Sequence, residues 1–305
     1  MYKRSGLIIT AVISFSAIAY SQQTGSGWFD SLKLVKPGAA LVRVSDQFKF
    51  TEGPAVDKKG NVYFTDQPND KIWKYGTDEK LSVFMSKTNR SNGLYFDKKG
   101  RLIACADEKN ELLAITPKRQ VSVLLTAAEG NRLNGPNDLW IDKRGGIYFT
   151  DPYYQRDYWA RKKPDLKGQY VYYLPKGEQH AFIVDSLLLQ PNGIVGTPDG
   201  QHLFVADIRD GKTYQYQISQ DGTLTNRQLF VNMGSDGMTL DDTGNLYLTG
   251  KGVTIFNKSG IKIGHIVVPS NWVGNICFGG KSRTTLFITA SESVYTLQMQ
   301  IKGVE

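Results

Sequence analysis

Residues 52–66 read EGPAVDKKGNVYFTD and residues 137–151 read NDLWIDKRGGIYFTD. Each opens on an acidic or amide side chain, passes through a short apolar run and turns at Asp-Lys-x-Gly. A second run, rich in β-branched and aromatic residues, then ends in Asp. Two such runs joined by a turn-forming tetrapeptide are the pattern of antiparallel strands. The phrase returns as NGLYFDKKGRLIACAD from Asn92, NGIVGTPDGQHLFVAD from Asn192, DGMTLDDTGNLYLTG from Asp236 and NICFGGKSRTTLFITA from Asn275. The six starts stand roughly 40 to 55 residues apart, and helical periodicity is hard to find anywhere.

A repeat of this length with about four strands matches a propeller blade, a small sheet packed radially around a channel. The expected fold is therefore all-β, a six-bladed β-propeller with a central metal-binding channel. The segment near LVRVSDQFKF and the late strand SVYTLQMQI are expected to combine and close the ring, leaving no long open sheet edge. The propeller domain is placed at residues 38–305, after a leader at 22–37. Residues 1–21 run from Lys3 and Arg4 through an apolar stretch to Ala19 and Ser21, the pattern of a cleaved signal peptide. The expected location is periplasmic or secreted, with no membrane association after cleavage.

Equivalent repeat positions occupy equivalent places around the axis, so the first residues of the phrases form a ring. That ring is Glu52, Asn92, Asn137, Asn192, Asp236 and Asn275. Asn or Asp before Gly is ordinary turn chemistry, but Glu is not a preferred turn former. Six oxygen-bearing side chains converging on one channel need a partner. Two carboxylates and several amide oxygens suit a hard divalent cation, calcium first, with magnesium, manganese or zinc as alternatives. No Cys or His occupies the ring.

EGP at Glu52, RLNGPND followed by GGIYFTDP, PNG at Asn192, SDGM at Asp236 and the late NICFGGKSRTTLFITA together resemble the SMP-30/gluconolactonase/LRE-like family, from about Phe50 to Leu297. The resemblance implies a six-bladed propeller with a divalent cation at the channel centre and, in many members, hydrolysis of sugar lactones. It implies Glu52, Asn137, Asn192 and Asp236 as metal positions. Asn92 and Asn275 match less closely and are expected to face substrate or complete the ring. Some members carry an arginine two residues before the position of Asn137, where this chain has Gly135.

The expected chemistry is cation polarisation of a lactone carbonyl, with Asp236 activating the attacking water and Glu52 acting mainly as a ligand. Gluconolactone-like sugar lactones are the expected substrates. The other reading is a non-catalytic sugar- or partner-binding propeller with a structural calcium. The segment DPYYQRDYWARKKPDLKG, inserted after the third phrase, is aromatic and basic. It is read either as a lid offering Tyr153, Tyr154 and Trp159 to a sugar ring or as a surface loop packed on the adjacent blade.

The formal net charge of +8 is spread over turn lysines, which indicates solubility rather than a nucleic-acid footprint. Cys105 and Cys277 are too few for a disulfide framework and read as buried thiols. There is no GxSxG elbow, GGKS at 279–282 is a turn, and the three histidines lie outside the ring. A monomer acting on a small molecule is expected.

Overall fold

The computed structural model describes residues 33–304 and, before them, two backbone strands, Ile18–Tyr20 and Phe29–Asp30. Apart from Ile18–Tyr20, the expected signal peptide lies outside the described residues. Six antiparallel blade sheets follow one another along the chain as meanders, two of them joined by strands from the chain's start, and a two-stranded ribbon, Ala127–Ala128 with Asn131–Arg132, lies between the second and third. Their first strands are Thr51–Val56, Ser91–Phe96, Leu139–Ile141, Pro191–Gly196, Met238–Leu240 and Asn275–Gly279, which coincide with the six phrases. The arrangement is a six-bladed β-propeller.

The tight turns follow from one device. Asp57 Oδ1 accepts the backbone N–H of Lys59 and Asn61, Asp97 those of Lys99 and Arg101, Asp142 those of Arg144 and Gly146, and Asp241 those of Thr243 and Asn245. A short carboxylate satisfies the two amides that the hairpin cannot, which explains the repeated Asp at this place. Gly60, at φ +93°, supplies the left-handed residue that completes the first of these turns.

The sixth blade is shared between the chain's two ends. Leu41–Ser45 pairs antiparallel with Ser293–Gln298, matching Val42 to Thr296 and Ser45 to Val294. Phe29–Asp30 lies against Lys262–Ile266 and Ile18–Tyr20 against Leu41–Ser45, so these two outer edges are covered. Leu34 is buried in the cluster that joins the fifth and sixth blades.

Apolar clusters fill the wedges between blades. Tyr148 and Val171 of the third blade pack with Ile194 and Val205 of the fourth and Leu246 and Leu248 of the fifth. Tyr148, Phe149, Tyr247, Phe278 and Phe287 are fully buried, each such ring contributing on the order of 1.5–3 kcal/mol. Both cysteines are buried free thiols. Threonines near the ends of the second strands tie blade to blade. Thr65 Oγ1 donates to the Asn92 carbonyl and Thr249 Oγ1 to that of Gly274.

Candidate metal centre and active site

Glycines bring the first strands together at the axis. A side-chain carbon on Gly53 would stand 2.1 Å from the Asn92 carbonyl oxygen, one on Gly93 2.5 Å from that of Asn137, and one on Gly193 2.7 Å from that of Asp236. At Gly237 it would meet the Asn275 side chain, and at Gly274 it would lie 2.9 Å from Glu52 Oε1. The remaining link is a hydrogen bond from the Ile194 N–H to the Asp138 carboxylate. All six residues at the phrase starts are thus drawn into one ring, each blade touching the next.

The floor of this ring is buried. Glu52 is 4% exposed, and its Oε2 accepts the N–H of Gly53 at 2.8 Å. Burial, followed by the charges of Asp236 and Asp138, pushes its carboxyl well above the usual range, while Asn275 donates to it in opposition. Asn92 and Asn192 are buried with their Oδ1 atoms lacking any protein partner. Asn137 is buried and uses its backbone to bond Gly93 and Thr150. Asp236 is partly exposed, and Trp272 Nε1 donates to its Oδ2 at 2.6 Å. Desolvation raises the Asp236 carboxyl to about 6 despite that bond and one from Asn192.

Asp138 is a third carboxylate, absent from the expected set. It is 7% exposed, and burial pushes it up to about 7. Its Oδ1 accepts the Leu139 N–H at 2.9 Å, and its Oδ2 faces Asn275 Nδ2 across the channel at 3.3 Å. The repeat held a signal for it: the position after the ring residue is glycine at 53, 93, 193 and 237, and aspartate here. Asn275 is drawn to both Asp138 and Glu52, and its own Oδ1 accepts the Ile276 N–H. It therefore completes the ring's hydrogen bonds.

The inserted segment packs over the second and third blades. Tyr154 reaches the ring, its hydroxyl oxygen accepting from Asn192 Nδ2 at 2.9 Å. Tyr153 lies under the Arg161 guanidinium, and its hydroxyl donates to Gln155. Trp159 differs from the expected sugar platform. It is 5% exposed, its Nε1 donates to the Asp107 carbonyl, and Arg161 covers its ring at 4.4 Å. The missing side chain at Gly135 makes room for it, since a Cβ there would lie 3.1 Å from the indole. Asn134 stays in the turn, bonded to Asp151 and Gly168.

The donor set fits a hard cation. Two buried amide oxygens are unpartnered, and carboxylates crowded in one channel raise each other's affinity for a positive charge. Among the described residues no three His, Cys, Asp or Glu side chains stand together at ligand spacing, so amide oxygens must share the coordination with Glu52 and Asp236. A recess of about 980 Å³ bordered by Trp73, Tyr75 and Phe287 lies between the first and sixth blades and contains none of the ring residues.

The SMP-30/Gluconolactonase/LRE-like region matches residues 50–292, the whole span that carries the phrases and their ring. The chain belongs to this family. A gluconolactonase of Zymomonas mobilis is 29% identical over 294 residues, covering 85% of this chain and 81% of its own. Lactonase drp35 of Staphylococcus haemolyticus is 26% identical over 250 residues, covering 77% and 74%. The solved structure of a gluconolactonase from Xanthomonas campestris superposes with a TM-score of 0.85 at 26% identity, covering 93% of this chain and 98% of that one. As a member of the SMP-30/gluconolactonase/LRE-like family, the chain has the propeller, and the long segment after its third phrase touches the ring.

Proposed function

We propose that the protein is an exported, metal-dependent lactonase acting on gluconolactone-like sugar lactones. The observation that carries this reading is the buried ring in which Glu52 and Asp236 stand beside the unpartnered amide oxygens of Asn92 and Asn192. The gluconolactonase and lactonase relatives support the reaction class. Export rests on the sequence of residues 1–21.

Glu52, Asn137, Asn192 and Asp236 would hold the cation, with calcium the best match to an all-oxygen set and magnesium, manganese or zinc the alternatives. When bound, it supplies Lewis-acid polarisation of the lactone carbonyl. Asp236 stands at the open side of the ring and takes the proton of the attacking water. Trp272 fixes the carboxylate's orientation through Oδ2. Asn275 and the Ile194 and Leu139 amides hold Asp138 in place below. The substrate ring enters past Tyr154 and Trp272, the partly exposed aromatics that line the mouth.

The test is proton release across a lactone panel, with chelated protein and then with added calcium, magnesium, manganese or zinc. Turnover that appears only with a cation is the expected result. Flat traces from protein that binds calcium would move the assignment to a sugar- or partner-binding propeller.

A further inference from the structure

The insertion reaches the ring at one atom pair, Asn192 Nδ2 and the Tyr154 hydroxyl oxygen, 2.9 Å apart. An asparagine amide has a donor end and an acceptor end of nearly equal size, and only the acceptor suits a cation. Tyr154 engages the donor end alongside Asp236, while Oδ1 is buried without a protein partner. Resting on the cation-dependent reading above, we propose that Tyr154 is a positioning residue that holds the Asn192 amide with its oxygen available to the divalent cation.

Tyr154 is itself held. The Arg156 guanidinium lies over its ring at 5.6 Å, and Arg156 Nε donates to Asp107 Oδ2 at 2.8 Å. The same Asp107 oxygen accepts from Gln67 Nε2 and from the Tyr158 hydroxyl. Comparison with the other blades shows that Asp107 is redirected. The aspartate at this phrase position elsewhere closes its own blade's loop: Asp66 accepts the N–H of Lys49 and Phe50, Asp151 those of Asn134 and Gly135, and Asp207 those of Leu189 and Gln190. For the loop that enters the second blade, Asp70 of the first blade performs that task, accepting the N–H groups of Thr88 and Arg90. Asp107 is thereby released to anchor the insertion. A continuous arm runs from Asp107 through Arg156 and Tyr154 to Asn192, joining the second blade to the fourth over the channel.

Partners that orient a ligating side chain change metal affinity by about 10- to 100-fold when removed. The experiment is calorimetric titration of calcium into the chelated full-length chain, comparing wild type, Tyr154→Phe, Asn192→Ala and the double variant. Tyr154→Phe is expected to weaken calcium binding about 10-fold, with the melting temperature of the cation-free protein unchanged. In the Asn192→Ala background the same change should cost nothing further, because the amide it positions is gone. Wild-type affinity in Tyr154→Phe, or an equal loss in both backgrounds, overturns the inference. Arg156→Gln, which leaves the hydroxyl in place, should give a smaller loss of the same sign; unchanged affinity removes Arg156 from the arm. Calcium binding without lactone turnover in the wild type would overturn the lactonase reading and leave this cycle decisive for Tyr154. A wild type that binds none of the four cations overturns both.

Discussion

Asp236 and Asp138 carry the same functional group in the same channel, yet their surroundings divide their tasks. Asp138 is buried and enclosed by the Leu139 and Ile194 amides and Asn275. Asp236 keeps one oxygen on Trp272 and is partly open to solvent, as a proton acceptor in catalysis must be. Asp236→Asn should fold normally and lower lactone turnover by about 10²- to 10⁴-fold, measured by proton release with the cation saturating. Full activity in a cation-loaded variant would remove Asp236 from the reaction. The ring residues were legible in the sequence because the repeat gives each a phase. Asp138 was harder to read because an Asn-Asp pair is ordinary in a turn, and only comparison with the neighbouring glycines marks it. Trp159 misled in the opposite direction: aromatic content in a long insertion signals stacking, but it does not say whether the partner is a sugar or the chain's own Arg161.

At the scale of the element, each first strand is shaped by how closely the next one approaches. Gly53 combines φ +40° with a Cβ position 2.1 Å from the Asn92 carbonyl. Gly53→Ala should therefore both strain the backbone and push the first two blades apart, costing about 2–4 kcal/mol of stability. A denaturant midpoint equal to wild type would show that the approach is not tight. The insertion makes a second prediction. Asp107→Asn replaces the ionic acceptor of Arg156 and Tyr158 by an amide, which should loosen the segment. The expected result is faster tryptic cleavage after Arg156 or Arg161, with cleavage elsewhere unchanged. The hairpins could be read from their Asp-x-x-Gly turns, whereas the anchoring of the insertion could not. It depends on Asp107 and Arg156, separated by a blade of sequence and united only by the fold.

Over the whole molecule, the buried acids give stability a definite dependence on pH. Asp138 and Asp151 are pushed up to about 7 and Asp236 to about 6, all mainly by burial, against about 3.9 in an unfolded chain. Between about pH 4 and pH 7 the folded cation-free protein therefore binds more protons than the unfolded one, and its stability falls as the pH rises. Thermal melts of chelated protein should show a lower midpoint at about pH 7.5 than at about pH 5.5. Saturating calcium should raise the midpoint more at the higher pH, where Asp236 no longer holds a competing proton. A flat profile in the chelated protein would mean that these acids stay ionised in the fold.

The six-bladed plan was the most legible feature of all, because it follows from counting one phrase, and the channel follows from the phase of that count. The join of Leu41–Ser45 to Ser293–Gln298 also sets a schedule. While the chain is still on the ribosome, strand Leu41–Ser45 has no neighbour on its inner side until Ser293–Gln298 has been made. The blades can form in turn, but Glu52 in the first cannot meet Asn275 in the adjoining sixth until that blade has been made. The ring of oxygen donors thus closes only once the sixth blade exists, and a product truncated before that blade has no means of making it early.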